Sequence, residues 1–290
     1  MIASRRDFLR QSSLLTAGLF ISKDELFKSN KKIGLQLYTL RNDLSKDPKS
    51  VLQKVAQLGY KEVETFGYNQ GKWFGMTAPE LSAVLKNNGL TSPSGHTLLG
   101  GVFLKDGWEE GWKKAVEDSA ALGQKYIVIP WLAEPDRKPI DNYKKIAEGL
   151  NKAAVISKQA GLQIAYHNHD FEFFETEGQT GFDILMKETD VSHVKMELDL
   201  YWVVKAGRNP LDLFAAHPGR FAMWHIKDMD NTDKKFFTEV GSGTIDFKAI
   251  FAKAKQSGMK HFYVEQDICP GPPLESIAKS IDYLKKNIVK

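Results

Sequence analysis

The sequence predicts one α/β domain, a closed (β/α)₈ barrel, over residues 31–290. From residue 32 onward, short β-branched or aromatic runs alternate with longer stretches of helical periodicity, and this pair occurs eight times. Strands joined by crossover helices require a parallel sheet, and eight units in this length match a closed barrel. A doubly wound open sheet is the alternative, but no glycine-rich phosphate loop follows the first predicted strand.

The eight units follow one another in strict order. The predicted strands read KIGLQLYTL, YKEVETFGY, TSPSGHTLL, KYIVIPWL, LQIAYHNHDF, HVKMELDLYWVV, FAMWHIKDM and HFYVEQDI. The predicted helices read PKSVLQKVAQLG, APELSAVLKNNG, GWEEGWKKAVEDSAALG, NYKKIAEGLNKAAVISKQAG, GFDILMKET, NPLDLFAAH, FKAIFAKAKQSG and PLESIAKSIDYLKKNI. Glycine at the end of a run of helical periodicity is a typical helix end, as at Gly59, Gly89 and Gly123.

Composition and charge exclude several classes of protein. Cys269 is the single cysteine, so an intrachain disulfide framework is excluded and the fold needs a packed core. The net charge is +4, of which residues 1–30 contribute +2 through five basic and three acidic residues. The rest of the chain is so close to neutral that it lacks the electrostatic footprint of a nucleic-acid-binding protein. We therefore expect no nucleic-acid partner.

Residues 1–30 resemble a twin-arginine export signal, with Arg5 and Arg6 as the pair and an apolar core at residues 14–21. The apolar run is too short to span a bilayer as a stable helix. We therefore expect export to the periplasm and no membrane span in the mature protein. Without a clear small-x-small cleavage site, cleavage and anchoring both stay open, and an amphipathic N-terminal helix is the alternative.

Imidazole and carboxylate groups cluster at the predicted carboxyl ends of strands five to eight, where active sites of such barrels lie. The residues are His167, Asp199, His225 and Glu265, one from each strand. Buried carboxylates repel one another, and a divalent cation relieves that repulsion. The set therefore predicts one divalent metal ion. Two imidazoles and two carboxylates suit Mn²⁺, Zn²⁺, Co²⁺ or Fe²⁺ rather than Ca²⁺.

Further polar and aromatic residues at these strand ends are candidates for substrate contacts, namely Tyr38, Glu64, His96, Trp131 and Asp170. His96 alone at a strand end is equally compatible with a structural hydrogen bond, and Trp131 either packs or forms a flat platform for a sugar. Glu197 lies two residues deeper than Asp199, which favours a buried structural partner. Glu62 is expected to be solvated.

Three strand ends, ELDLYW, WHIKD and YVEQD, resemble those of the xylose isomerase-like barrels, the sugar isomerase/epimerase superfamily. That superfamily includes ketose 3-epimerases, inosose dehydratases and endonuclease IV-type repair enzymes, and the resemblance extends from Lys32 to the C-terminus. Its members hold one divalent metal by Glu, Asp, His and Glu on strands five to eight. The resemblance implies Asp199, His225 and Glu265 as the last three ligands.

Strand five departs from the family pattern, because His167 and Asn168 stand where the epimerases have Glu followed by Pro. In ketose 3-epimerases both glutamates exchange a proton with an enediolate. The symmetric partner of Glu265 is absent here, which argues against two-base epimerisation. The histidine-rich strand is more similar to the inosose dehydratase branch. YHNHDFEF is also similar to an exported sugar-catabolic subgroup, which implies a keto-sugar or keto-glycoside as the small-molecule substrate.

The predicted chemistry is removal of a proton next to a carbonyl group through an enediolate. Glu265, as ligand and base, or His169, as a separate base, would remove the proton. Lys227 would steady the oxyanion or protonate a departing oxygen. Return of the proton to carbon gives isomerisation or epimerisation, whereas loss of a β-oxygen gives dehydration or cleavage of a keto-glycoside, and both stay open.

Two other functions are compatible with parts of the sequence. The missing strand-five glutamate favours a non-catalytic sugar-binding barrel, although such a protein need not retain Asp199, His225 and Glu265 together. An endonuclease IV-like phosphodiesterase shares the predicted fold, but the near-neutral charge argues against it. An oligomer is possible, and no sequence motif indicates one.

Overall fold

Eight parallel strands close into a barrel, so the predicted (β/α)₈ architecture is confirmed. The strands are β1 (Gly34–Gln36), β2 (Glu62–Thr65), β3 (Thr91–His96), β4 (Tyr126–Ile129), β5 (Gln163–His167), β6 (Val194–Asp199), β7 (Phe221–Ile226) and β8 (His261–Val264). Strand β1 pairs with β2 on one side and with β8 on the other, which closes the sheet.

The structure is a computed structural model that describes residues 32–289. Within that range Lys32–Ile288 is one compact unit. The export signal predicted for residues 1–30 lies outside the described residues and stays a prediction. Among the residues described, no helix combines the length and the apolar character that crossing a membrane would require.

One main helix follows each strand. These helices are α1 (Pro48–Leu58), α2 (Ala78–Asn87), α3 (Trp108–Leu122), α4 (Asn142–Gln159), α5 (Gly181–Glu188), α6 (Pro210–Ala216), α7 (Phe247–Ala252) and α8 (Pro273–Asn287). Short helical turns lie at Leu37–Leu40, Arg41–Leu44, Gly100–Leu104, Glu134–Arg137, Phe171–Phe173, Leu200–Lys205 and Ala254–Ser257. The predicted seventh helix is therefore divided at Lys253.

Helix α1 shows how local sequence sets these boundaries. The side chain of Asp47 accepts a hydrogen bond from the backbone N–H of Ser50, and Pro48 occupies the first turn, where its missing N–H costs nothing. Gly59 ends the helix with φ at 101°, a left-handed conformation that glycine adopts without strain.

Two strands at the site end earlier than the sequence predicts. Strand β6 stops at Asp199, whose side chain accepts the backbone N–H of Trp202 at 3.1 Å and so begins the helical turn Leu200–Lys205. Strand β1 stops at Gln36, whose side chain accepts the N–H of Tyr38 at 3.0 Å. In both places a polar side chain satisfies backbone groups that a longer strand would have paired.

A small apolar layer fills the barrel below the polar strand ends. Its buried members are Val128, Ala165, Ala222, Met223 and Tyr263. A Cβ atom on Gly34 would lie 2.4 Å from Cδ1 of Tyr263, so only glycine lets this ring pass close to β1. The ring of Tyr263 lies 6.1 Å from that of His225, measured between centroids, and the layer therefore forms the floor of the site.

The prediction that Glu62 is solvated is wrong. Glu62 is buried, and its Oε2 atom lies 2.7 Å from Nδ1 of His261 at the start of β8. A buried carboxylate needs a partner, and His261 provides one. This pair joins the first residues of β2 and β8, on the side of these short strands away from their polar carboxyl ends.

The carboxylate of Asp228 organises the loop that follows β7. Backbone N–H groups of Met229, Gly241, Gly243 and Ile245 donate to it over distances of 2.8 to 3.1 Å. Asp228 is fully buried, so these four donors replace the water that the carboxylate loses. Asp228 therefore serves this loop and does not join the polar cluster in the barrel.

We expect Asp228→Ala to lower the free energy of unfolding by about 3 kcal/mol, because it leaves buried N–H donors without an acceptor. Urea denaturation measures the change. Asp233→Ala in the same loop removes an exposed carboxylate and serves as the control. A loss for Asp228→Ala no larger than that of the control would contradict the role of Asp228 in the loop.

Candidate active site

A cavity of about 550 Å³ opens at the carboxyl ends of the strands. It brings together most of the residues that the sequence singles out, since its lining includes Tyr38, His96, Trp131, His167, His169, Lys227 and Glu265. Asp199 and His225 are fully buried beside Glu265, below the open space. Asp170 begins the turn Phe171–Phe173 and does not contribute to the cavity lining, so its position does not support the predicted substrate contact.

The four predicted metal ligands come close to one another. Nε2 of His167 lies 3.7 Å from Oδ2 of Asp199, and Nδ1 of His225 lies 4.0 Å from the same oxygen. Nδ1 of His225 is also 2.8 Å from Oε2 of Glu265. Asp199, His225 and Glu265 each offer one donor atom within 4.8 Å of the other two, and His167 approaches this trio through Asp199. Imidazole and carboxylate donors of this kind suit a transition-metal ion of the zinc type.

The second nitrogen of each candidate imidazole ligand is held by a deeper carboxylate. Nδ1 of His167 lies 3.1 Å from Oε2 of Glu197, and Nε2 of His225 lies 2.6 Å from Oε2 of Glu64. Histidines that bind metals generally have this arrangement, because the outer hydrogen bond fixes the tautomer and the ring orientation. These outer hydrogen bonds are independent of the ligand set itself, and they too indicate that the residues fit a divalent ion.

This arrangement corrects the prediction for Glu64. Its side chain is fully buried beneath the cavity, where it also accepts hydrogen bonds from Nε2 of Gln36 at 2.8 Å and from the Ser94 hydroxyl. It is placed to orient His225, not to touch a substrate. Glu197 is a buried partner, as predicted, and it bridges His96 at 2.7 Å to His167.

His96, His167, Glu197 and His225 form a second group whose side-chain donors lie within 4.8 Å of one another. In this group the carboxylate of Glu197 already pairs with all three imidazoles, and no cavity-lining carboxylate takes part. The first group includes Glu265, which lines the cavity and is open to a substrate. The first group, Asp199, His225 and Glu265, therefore fits a catalytic ion. The second group fits a deeper layer of hydrogen bonds that would hold the histidines in position.

Asn168 connects the ends of β5 and β6. Its side-chain oxygen accepts the backbone N–H of Asp199 at 3.0 Å, and the residue is fully buried. This hydrogen bond connects the end of β5, which carries His167, to Asp199 at the end of β6. The asparagine that stands where the epimerases have proline therefore has a structural reason in this chain.

Lys227 is a buried cation held by three carboxylates. Its Nζ atom lies 2.8 Å from Asp199, 2.6 Å from Glu265 and 2.9 Å from Asp267. Burial alone would lower the pKa of Lys227, but Asp199, Asp267 and Glu265 raise it well above its usual value. The ammonium group therefore stays charged and is a weak proton donor.

The buried carboxyl groups differ in charge state. Burial opposes ionisation of Glu64, but His96 and His225 lower the pKa of Glu64 to about 2. Burial and the neighbouring Glu64 raise the pKa of Glu197 to about 7. For Glu265, Lys227 and His225 overcome the effect of burial and lower the pKa well below the usual range. Glu265 is thus a ready anionic ligand and a weak base.

His169 has the properties of a neutral base at the cavity wall. Its Nδ1 atom is buried and has no hydrogen-bond partner among residues 32–289. Burial and the nearby charge of Lys227 hold the pKa of His169 well below its usual value. The ring stacks on Phe171 with centroids 5.3 Å apart and planes at 8°. An uncharged imidazole with a free nitrogen can accept a proton.

Glu172 fixes the backbone at His169 and is a site residue that was not predicted from the sequence. Its carboxylate accepts the N–H of His169 and the hydroxyl of Tyr166, both at 2.7 Å. Glu172 is fully buried, and burial raises its pKa to about 7. The only sequence signal was an acidic residue between two phenylalanines, a pattern that would equally suit an exposed turn.

Comparison with known proteins agrees with this geometry. A family model described as xylose isomerase-like TIM barrel matches residues 52–287, and the chain belongs to this family. An inosose dehydratase from Lacticaseibacillus casei is 29% identical over 163 residues, 50% of this chain and 54% of that protein, so the chain spans about half the length of this relative. This match confirms the resemblance to the xylose isomerase-like barrels that the strand ends ELDLYW, WHIKD and YVEQD indicate.

Two further relatives cover most of the chain. An inosose dehydratase from Geobacillus kaustophilus (strain HTA426) is 25% identical over 276 residues, 81% of this chain and 86% of that protein. The crystal structure of a sugar phosphate isomerase/epimerase from Parabacteroides distasonis ATCC 8503 has a TM-score of 0.77 and 29% identity. It covers 90% of this chain and 96% of its own.

We expect Glu172 to make stability pH-dependent. Its folded-state pKa of about 7 lies above its unfolded value, so the folded protein retains a proton that the unfolded chain releases. This group therefore reduces the free energy of unfolding as pH rises from about 4 to about 7. In Glu172→Gln the fall in that free energy between about pH 5 and about pH 8 should be smaller by roughly 3 kcal/mol.

Chemical denaturation at the two pH values measures this difference. Glu175→Gln changes an exposed carboxylate three residues away and should leave the pH dependence as in the wild type. If Glu172→Gln shows the same fall as the wild type, the carboxyl group of Glu172 does not hold the extra proton.

Proposed function

We propose that this protein is a divalent-metal-dependent enzyme that acts on a sugar or keto-sugar by proton abstraction beside a carbonyl group, followed by loss of a β-oxygen. The reaction is then a dehydration or a lyase-type cleavage. The observation that carries the proposal is the combination of a converging ligand set with a separate, uncharged imidazole, His169, on the wall of the same cavity. Relatives named inosose dehydratase support an elimination.

His167, Asp199, His225 and Glu265 would hold the ion, with Glu197 and Glu64 orienting the two imidazoles. A divalent ion bound there would draw electron density from the carbonyl and hydroxyl oxygens of a sugar and so acidify the adjacent C–H bond.

His169 is the proposed base. The imidazole of His169, which lines the cavity, accepts the proton as the C–H bond breaks and the electron pair of that bond moves toward the carbonyl group. The electron pair then forms the new double bond as the bond to the β-oxygen breaks. The proton on His169 passes to the departing oxygen, so that water or an alcohol leaves and no further reactant is needed. Glu265 is the weaker candidate for the base, because its carboxylate already contacts His225 and Lys227 and is a proposed metal ligand.

Lys227 is proposed to stabilise negative charge on a substrate oxygen. It lines the cavity, and Asp267, which is not a proposed ligand, would still hold its ammonium group at the site when Asp199 and Glu265 bind the ion. Its raised pKa argues against the other predicted role, protonation of a departing oxygen.

The asymmetry of the site favours elimination over epimerisation. Exchange of a proton on both faces of an enediolate requires two bases of similar strength, and strand β5 offers an imidazole in place of a carboxylate. His167 faces Glu197 and Asp199 with its two nitrogens and has none left for a substrate once an ion is bound.

The metal-binding part of this proposal has its own test. We expect Glu197→Gln to weaken Co²⁺ affinity about 10- to 100-fold, because the Nδ1 atom of His167 loses its carboxylate. Cobalt titration of metal-free protein, followed by visible absorption, measures the affinity. Glu62→Gln, which changes the buried carboxylate beside His261 at the other end of the barrel, is the control. Equal affinity in the wild type and Glu197→Gln would remove Glu197 from the metal site.

The catalytic part is tested by assays on ketoses and 3-keto-glycosides in D₂O, before chelation, after it and after metal return. Activity and deuterium incorporation beside the carbonyl should disappear with the metal and return with it. His169→Gln should lower kcat by about 10²- to 10⁴-fold while the bound metal is retained. His217→Gln, outside the cavity lining, is the control and should match the wild type. If the protein retains no metal and shows no metal-dependent turnover, the proposed function is wrong.

A further inference from the structure

The cavity has two chemically different halves, and the barrel topology separates them. Strands β1 to β4 form one side of the closed sheet, and strands β5 to β8 form the other. The loops after β1 to β4 contribute the apolar lining residues, which are Tyr38, Phe66, Leu99, Pro130 and Trp131. The ends of β5, β7 and β8 contribute His167, His169, Lys227, Glu265 and Asp267. We call the first set the apolar half and the second the polar half.

Three side chains of the apolar half are exposed to solvent. Tyr38, Trp131 and Leu99 are 38%, 37% and 52% exposed. Contiguous apolar side chains in a concave surface are costly to leave in water, and they mark places where a ligand or partner binds. Phe66, Leu99 and Pro130 have no side-chain group that can form a hydrogen bond, so this half has little to offer the hydroxyl groups of a free sugar.

The two exposed rings are held in place by their neighbours. The guanidinium carbon of Arg41 lies 4.4 Å from the ring centroid of Tyr38, and Phe66 meets that ring edge-on at 5.3 Å and 86°. The guanidinium carbon of Arg137 lies 5.4 Å from the ring centroid of Trp131. Rings that are already ordered lose little freedom when a flat ligand stacks on them, which favours binding.

We propose that the substrate has two parts, a sugar that reacts in the polar half and an apolar ring attached to it that rests against Tyr38 and Trp131. The substrate class is then a glycoside with an aromatic or similarly apolar aglycone, and a free monosaccharide would leave the apolar half uncovered. The inference rests on the proposed function, because it takes the polar half as the place of reaction. A cavity of about 550 Å³ is within the range that accepts ligands of this size.

The continuity of the two halves identifies the occupant as one molecule. His96 and Thr97 at the end of β3 lie between the apolar loops and the histidines of β5, so polar lining groups reach into the apolar side of the same cavity. Apolar and polar lining groups thus belong to one cavity, which a single two-part molecule can fill.

Calorimetric titration of the metal-loaded full chain tests the proposal with phenyl and methyl D-glucopyranosides, each as the α and β anomer. For at least one anomer, the phenyl glycoside should bind about tenfold more tightly than the methyl glycoside, because only it stacks on the rings. Trp131→Ala and Tyr38→Ala should each reduce that preference while leaving the affinity for the methyl glycoside unchanged. Val191→Ala, which alters an exposed apolar side chain that does not line the cavity, is the control.

Equal affinity for the two glycosides, absence of binding by either, or a preference that survives in both ring variants would overturn the inference. The alternative occupant of the apolar half is a second copy of the chain. Light scattering on the same samples measures whether the protein is a dimer. A dimer that dissociates in Trp131→Ala would make the apolar half a subunit interface and would also overturn it. A preserved phenyl preference without any metal-dependent turnover would contradict the proposed reaction and leave the two-part binding site standing.

Discussion

The site depends on the register of three neighbouring strands. In the pairing of β5 with β6, Glu197 lies opposite His167, and in the pairing of β6 with β7, Asp199 lies opposite His225. Side chains two residues apart on one strand point to the same face, so β6 presents Glu197 and Asp199 at two levels to its neighbours. At the deeper level Glu197 lies 3.1 Å from His167 and 3.3 Å from His225. At the upper level Asp199 lies 3.7 Å and 4.0 Å from the same two residues. A slip of one residue would turn these groups to the outside of the barrel.

Repulsion among buried carboxylates makes this arrangement unfavourable by itself and favourable for a bound cation. Five carboxyl groups, those of Glu64, Glu197, Asp199, Glu265 and Asp267, surround the floor of one cavity. Burial of so much negative charge is unfavourable unless cations or protons compensate for it. Lys227 supplies one fixed charge, and the imidazoles share protons with the deep carboxylates. The remaining imbalance is what makes the position between the upper ligands attractive to a divalent ion.

The sequence sufficed for the fold and for most of the polar cluster, because both follow from periodicity. Eight alternating units determine a closed parallel sheet, and strand-end residues then meet at one rim. The sequence did not suffice to predict how deep a side chain lies relative to the cavity. Glu64 and Asp170 have the same chemistry as a ligand or a substrate contact, but Glu64 lies beneath the cavity and Asp170 begins a turn. Glu172 escaped notice because its two partners, the Tyr166 hydroxyl and the His169 N–H, depend on the path of a loop.

Asp199 has one further consequence. One of its carboxylate oxygens caps the helical turn Leu200–Lys205, while the other faces His167, His225 and Lys227. The same side chain thus belongs to the scaffold and to the chemistry, on separate atoms. Exchange for asparagine keeps an oxygen for the cap but removes the charge, whereas glutamate keeps the charge on a longer arm that no longer fits the cap. Designers who wish to retune the metal preference of this barrel therefore have more freedom at His167 and Glu265 than at this aspartate.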